Sequence, residues 1–264
     1  MPDIAAVGVN LAVSLGVALV VVLIAFACGV AIGKHRVIDV AWGLGFAAIA
    51  LASSLLAAGH GSVGSRTLAP ALTVIWGVRL ATHIFIRGRG APEDPRYAQM
   101  LAAAPGDPNV YALTRVYLTQ AAVMWFVSWP VQVAAYDPDR LSAWIIPGVL
   151  VWLVGFGFES IGDAQLAAFR RDPAKRGTVL NTGLWAWTRH PNYFGDAAVW
   201  WGLTLLACRS WWGLVTIPSA LAMTYFLMNK TGKPLMEKHM SDRPGYADYV
   251  ERTSGFFPRP PKRA

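Results

Sequence analysis

The chain has 264 residues, of which 55% are hydrophobic, 14% charged and 12 are Trp, with a formal net charge of +8. That is too apolar for a soluble domain, where about a quarter of residues carry charge, and for a disordered chain. Cys28 and Cys208 both lie inside apolar runs, which excludes a disulfide framework or a four-ligand zinc site and leaves an integral membrane protein.

Crossing about 30 Å of hydrocarbon takes roughly 20 mostly apolar residues. Seven runs meet or approach that length: 4–33, 37–59, 68–87, 111–136, 141–169, 192–208 and 210–229. The first has no basic flank and far exceeds a signal-peptide core, so it is expected to stay as a span. The sixth starts at Pro191 and is short enough to be re-entrant. The expected fold is all-α, a seven-transmembrane-helix bundle forming one membrane domain over 1–264, with a tail from 230 to 264. Nothing in the pattern specifies an oligomer.

Basic residues gather between alternate spans. Lys34 and Arg36 follow the first; Arg87, Arg89 and Arg96 follow the third; Arg170, Arg171, Lys175, Arg176 and Arg189 follow the fifth; eight more follow Asn229. The remaining loops hold only Arg66, Arg140 and Arg209. Lys and Arg are retained on the cytoplasmic side, so the amino terminus is expected outside and the carboxyl terminus in the cytoplasm. The positive charge then reflects this asymmetry and contact with the lipid bilayer's anionic head groups. No aromatic-basic stripe points to nucleic acid, and no internal repeat to a transporter. The longer polar segments, 87–111, 170–189 and 230–264, all fall on the inner side, where any chemistry is expected.

Ionisable groups inside a span are costly unless they face a partner or a wet cavity. Helical spacing puts Asp39, Trp42, Gly43 and Phe46 on one face of the second span, and Trp76, Arg79, His83 and Arg87 on one face of the third. Glu159, Asp163, Leu166 and Arg170 share a face of the fifth; Arg189, Asn192 or Tyr193, Asp196 and Trp200 line up at the sixth. One reading is structural, with Arg79 neutralising Glu159 or Asp39 and setting helix register. The other is a polar cavity entered from the cytosol.

The most specific string is 181–196, Asn181 to Asp196. Pro191 suits the first turn of a helix, so backbone N–H groups and the helix dipole point back at Arg189 and His190, a setting for an anion such as a pyrophosphate. Asn192 offers a donor and an acceptor, and Tyr193 a ring and a hydroxyl. A basic interface anchor is the plainer reading. In the tail, Tyr246, Tyr249 and Thr253 recur at helical spacing, to cover an adenine or to sit among head groups, and the prolines of 256–262 exclude a helix. No metal is expected, since the histidines lack ligand spacing.

The run Arg189-His190-Pro191-Asn192-Tyr193-Phe194-Gly195-Asp196, followed by Trp200-Trp201-Gly202, resembles the carboxyl-terminal signature of the steroid 5-alpha-reductase and sterol C14-reductase superfamily. The whole chain resembles its bacterial membrane branch, through Asp39 to Phe46, Gly88-Arg89-Gly90 with Glu93 to Tyr97, Gly157 to Asp163, and Pro244 to Tyr249. The resemblance implies a bacterial inner-membrane enzyme with seven helices. It would bind NADPH in a cytoplasm-facing cavity and pass hydride to a conjugated carbon–carbon double bond of a lipid substrate, sterol-like, isoprenoid or fatty acyl. Arg89 matches the arginine of the family's Arg-Gly-Arg loop, Asp163 and Arg170 an acid and a base on the fifth helix, and Asn192, Tyr193 and Asp196 the start of the sixth. The residues expected around the nucleotide are these together with Arg87, Tyr97, Arg171, Asn181, Arg189, His190, Tyr246 and Tyr249. The arginines suit the 2′-phosphate of NADPH; a Gly-rich Rossmann fingerprint is absent, so helices and loops must hold the nucleotide.

Steroid 5-alpha-reductases proper place a glutamate on the second helix and a tyrosine on the third beside the substrate carbonyl. The corresponding stretches here carry Asp39 and Trp42, then Trp76 and Arg79, and the third span has no tyrosine. Glu159 or Asp39 is the expected proton donor, and Arg79 the group that offsets developing negative charge. Two alternatives stay open. One is an S-adenosylmethionine-dependent membrane methyltransferase of the isoprenylcysteine or phospholipid type, which shares a similar Arg-His-Pro-x-Tyr-x-Gly helix start and with which Glu237, Tyr246 and Tyr249 are compatible. The other is a non-catalytic lipid-binding scaffold.

Overall fold

A computed structural model describes residues 2–230 and 232–262; the other positions, including the last two of the expected tail, lie outside the described residues. Among the described residues the regular structure is helical apart from one isolated parallel bridge, Thr188 to Ser254. Among the described residues, six stretches are long and apolar enough to cross a membrane: Ile4–Ile32, Val37–Leu56, Val63–Gly88, Pro108–Val127, Ile145–Arg171 and Trp211–Lys230. The expected sixth run folds instead as a 17-residue helix, Pro191–Ala207. At about 1.5 Å per residue it is shorter than the hydrocarbon core. The chain divides into two compact units, Met1–Ser142 with Ala207–Ser219, and Ala143–Leu206 with Ala220–Ala264.

In the first unit, α1 (Ile4–Ile32) starts where Asp3 accepts a hydrogen bond from Ala6 N and stops at Gly33, whose φ of 66° other L residues resist. Asn10, Ser14, Ala18, Val22, Ala25 and Gly29 recur every three or four residues and are its buried face. α2 (Val37–Leu56) crosses α3 (Val63–Gly88) so closely at Gly43 and Gly77 that a Cβ on either would strike the other's carbonyl oxygen. α3 starts ahead of the expected residue 68 because Ser62 caps it, accepting from Ser65 N at 3.2 Å.

α4 (Pro95–Ala102) lies within the expected inner loop, with Asp94 as its cap and proline in its first turn. The fourth expected span is interrupted. α5 (Pro108–Ala112) runs through a π turn, Leu113–Tyr117, into α6 (Leu118–Val127), and α7 (Trp129–Ala135) begins after Ser128. Pro130 has no N–H for the Phe126 carbonyl and its ring crowds that carbonyl, so the helix breaks there. A buried polar network ties the pieces together: Asn10 Nδ2 donates to Ser53 Oγ (3.3 Å) and Gln132 Oε1 (3.4 Å), and Gln132 Nε2 donates to Ser128 Oγ (2.7 Å). Beside the start of α3, the buried Arg209 and Asp137 pair at 2.8 Å, and Arg209 also donates to Ser65 Oγ.

In the second unit, α8 (Ile145–Arg171) lies against α9 (Pro191–Ala207) along glycines spaced seven apart. A Cβ on Gly155 would come within 2.6 Å of the Gly195 carbonyl oxygen, and one on Gly202 within 2.6 Å of Trp152 N. Gly148 and Gly162 extend the seam at either end, the latter facing Pro191. Close approach of small residues is how helices associate where lipid removes the hydrophobic drive. α10 (Ile217–Tyr225) follows a 3-10 stretch of the first unit, Trp211–Thr216, belongs to the second unit from Ala220 onward, and ends in a π turn, Phe226–Lys230. α11 (Lys233–Met240) and α12 (Tyr246–Arg252) follow in the tail.

Candidate functional site

The glycine seam sets the site in the second unit. By seating the first turn of α9 on α8, it brings Asn192 Nδ2 to 3.2 Å from Asp163 Oδ1. Asp163 and, one turn earlier, Glu159 are buried, while Arg170 and Arg171 emerge exposed at the end of the same helix. The chain between the helices folds back on that face: Gln165 Oε1 accepts from Leu184 N at 3.1 Å, and Trp185 Nε1 donates to the Gly162 carbonyl at 3.0 Å. An open groove of about 450 Å³ lies alongside, lined among others by Gln165, Phe169, Lys175, Thr178, Asn181 and Thr182. Asp196 is half-buried, one turn beyond Asn192.

Arg189 and His190 have partners from the tail. The Arg189 guanidinium donates to Glu237 (2.9 Å from Nε) and to the carbonyls of Thr253 (2.7 Å) and Val250 (3.2 Å). His190 Nε2 lies 3.3 Å from the same Glu237 oxygen, and its ring stacks on Tyr193 with centroids 5.5 Å apart. The segment after α12 runs as a strap along 187–189: Arg189 N donates to Ser254 O, Thr188 Oγ1 to Phe256 O, and Arg259 N to Trp187 O. Tyr246 and Tyr249 are buried, not spread among head groups, and Tyr249 donates to the Trp185 carbonyl at 2.6 Å. Burial pushes both phenols above their ordinary range.

The first unit holds the remaining expected residues. Asp39, at the start of α2, accepts from Tyr97 Oη at 2.6 Å and from Arg96 of α4 at 3.2 Å, an ion pair that the spacing of the spans did not suggest. Burial, reinforced by the Asp39 carboxylate, raises the Tyr97 phenol well above its usual value. Trp42, Phe46 and Trp76 continue inward as an edge-to-face aromatic ladder. Arg79 is half-buried on α3; Arg87 and Arg89 are exposed at its end, with the Arg89 guanidinium 5.9 Å from the Phe85 ring centroid. Among the described residues, no three His, Cys, Asp or Glu side chains are grouped to hold a metal ion.

From residue 25 to residue 253 the chain matches the family described as "Protein of unknown function (DUF1295)". It is a member of the DUF1295 family. An uncharacterized protein of Schizosaccharomyces pombe is 24% identical to this DUF1295 chain over 217 residues, which cover 71% of the chain and 62% of that relative. No solved structure matches. The match takes in both units, from near the end of α1 to the strap.

Two features of this DUF1295 member were not anticipated from its sequence, the partners of Arg189 and the contacts of Glu93, and of the glycine seam only a close approach at Gly195 was. The seam had a usable signal, since Gly148, Gly155 and Gly162 recur every seven residues, as do Gly195 and Gly202. The Asp94-Pro95 pair is likewise a helix-start signature that points to α4.

Proposed function

We propose that the chain is a membrane-embedded, NADPH-dependent reductase of a carbon–carbon double bond in a lipid, and that it belongs to the bacterial membrane branch of the steroid 5-alpha-reductase and sterol C14-reductase superfamily. The observation that carries this reading is the Asn192–Asp163 hydrogen bond at the start of α9, with Arg170 two turns further along the Asp163 face of α8. The donor set fits a phosphorylated dinucleotide. The amide and carboxylate suit ribose hydroxyls or a carboxamide, and the exposed guanidiniums of Arg170 and Arg171 suit phosphates, which they engage bidentately.

When bound, NADPH supplies a hydride. Asp163 and Asn192, each of which already restrains the other, would hold the nucleotide. The second carbon of the reduced bond needs a proton, for which Glu159 and Asp39 are the proposed acids; Tyr97 and Arg96 hold the Asp39 carboxyl in one position. Arg79 would offset negative charge developing on the substrate. We further propose seven spans, with the amino terminus outside and the carboxyl terminus and site facing the cytoplasm of a bacterial inner membrane, following the distribution of Lys and Arg.

The stacked His190–Tyr193 pair with Glu237 beside it favours the second reading, an S-adenosylmethionine-dependent methyltransferase, because that patch calls for no phosphate. Thermal unfolding of the protein in nanodiscs, titrated with NADPH and separately with S-adenosylmethionine, tells the readings apart, since native-state binding raises stability. The expected result is a shift with NADPH only, abolished in Asn192→Ala. Arg170→Ala is expected to weaken NADPH about tenfold or more while weakening NADH less, as loss of a charged hydrogen bond implies. A shift with S-adenosylmethionine alone would replace the reductase by a methyltransferase. Silence with both would leave the lipid-binding scaffold.

A further inference from the structure

The end of the first unit where α1 turns into α2 contains a carboxylate with an unusual load. α2 begins at Arg36 without a side-chain cap of its own. The orphan N–H groups of that turn are instead taken by Glu93, from the loop after α3: one carboxylate oxygen accepts from His35 N, and the other from Arg36 N at 3.0 Å and from Asp94 N at 2.8 Å. The turn between α1 and α2 returns the contact. Lys34 Nζ donates to the Ala91 carbonyl at 2.9 Å, and Arg36 donates to the Pro92 carbonyl at 2.7 Å. The Arg36 guanidinium also lies flat against Gly88, where a Cβ would stand 3.0 Å from it, and Gly90 turns the chain at φ 72°. The loop that follows the Arg87-Gly88-Arg89-Gly90 string is thereby tied down at Ala91, Pro92 and Asp94, and the Arg36 side chain abuts the string itself at Gly88, with Arg87 and Arg89 exposed.

We infer that Glu93 is a positioning residue: by capping α2 from the neighbouring loop, it holds Arg87 and Arg89 ready for a phosphate at the inner face. The inference deepens the reductase reading and rests on it for the identity of the phosphate, which a nucleotide or a lipid head group can supply. The reason for preorganisation is entropic, since long cationic side chains on a mobile loop lose more freedom on binding than the same side chains on a fixed one. A carboxylate is suited to the task because it accepts several N–H bonds at once and charge strengthens each.

The test uses the full chain in phosphatidylcholine nanodiscs as wild type, Glu93→Gln, Glu93→Ala, Arg89→Ala and the Glu93→Ala/Arg89→Ala double variant. NADPH affinity is read by calorimetry, and backbone amide exchange over 33–40 and 90–97. Glu93→Ala is expected to speed exchange at His35, Arg36 and Asp94 at least tenfold and to weaken NADPH as much as Arg89→Ala does. The double variant should be no weaker than the worse single one, and Glu93→Gln, which keeps one acceptor oxygen, should fall between. Unchanged exchange, or losses that multiply in the double variant, would overturn the inference. If the wild type binds no NADPH, the nucleotide reading fails on its own. The variants are then compared for retention of phosphatidylglycerol in mixed nanodiscs, where equal retention by wild type and Glu93→Ala overturns the positioning role too.

Discussion

His190 and Glu237 show how two residues make the second unit sensitive to acid. Burial drives the His190 pKa below its ordinary 6.5, with Glu237 opposing only in part, so the ring is neutral near pH 7 and donates its Nε2–H to the carboxylate. Burial pushes Glu237 upward, but hydrogen bonds from His190 and Arg189, with the charges of Arg189 and Lys233, outweigh it and hold the group at about 2 against an ordinary 4.5. In the unfolded chain both groups take up protons more readily than in the folded one, so stability falls as pH falls. The contribution is complete above pH 6.5, declines first through His190, and declines again between 4.5 and about 2 through Glu237. Amide exchange of the strap at 250–259 is expected to accelerate in those two stages, and Glu237→Gln to remove the lower one. A lower stage that survives in Glu237→Gln would refute the assignment. The sequence named Arg189 and His190 as special but pointed them at a ligand anion. Their carboxylate partner is 48 residues away from Arg189 on α11, a separation at which helical spacing carries no information.

At the scale of elements, the α8–α9 seam decides where Asp163 and Asn192 meet. A Cβ at Gly195 would collide with Glu159 N and press on the Gly155 carbonyl oxygen, both backbone atoms that cannot swing aside. Gly195→Ala is therefore expected to cost about 1–3 kcal/mol or more and to separate the Asn192–Asp163 pair. Gly157, on the same α8, has nothing near its Cβ position. Gly157→Ala should leave stability unchanged or raise it by up to about 1 kcal/mol, as removing a helical glycine does. Thermal unfolding of the two variants in one lipid provides the check, and equal effects would argue against the seam. The existence of the long membrane helices was legible because long apolar runs are a strong signal. The break at Ser128, by contrast, arises from Pro130 inside a run that hydropathy alone reads as continuous, and α4 from a cap and a proline inside a segment read as loop.

For the molecule as a whole, the short α9 decides the parity of the membrane crossings. Six spans would return the carboxyl terminus to the side of the amino terminus, and a crossing by Pro191–Ala207 would put the two on opposite sides. Reporter fusions active on only one side of the membrane, placed at each terminus in turn, are expected to report an external amino terminus and a cytoplasmic carboxyl terminus. Both termini on one side would remove α9 from the count of spans, and the basic tail would then have to be read as an interfacial segment.

Composition and hydropathy patterning alone were sufficient for an all-helical membrane protein and for the six helices long and apolar enough to span, because hydrocarbon of fixed thickness imposes a length that is read along the chain. The motif 189–196 likewise marked the start of α9. Which side chains meet was settled only in three dimensions. Asp39 found Arg96 and Tyr97, Arg189 found Glu237, and Glu93 found the open start of α2, each across dozens of residues. A polar group in a low-dielectric setting must be satisfied by whatever donor or acceptor packing brings near, and packing is set by close approaches at glycines, which no one-dimensional count of hydropathy records.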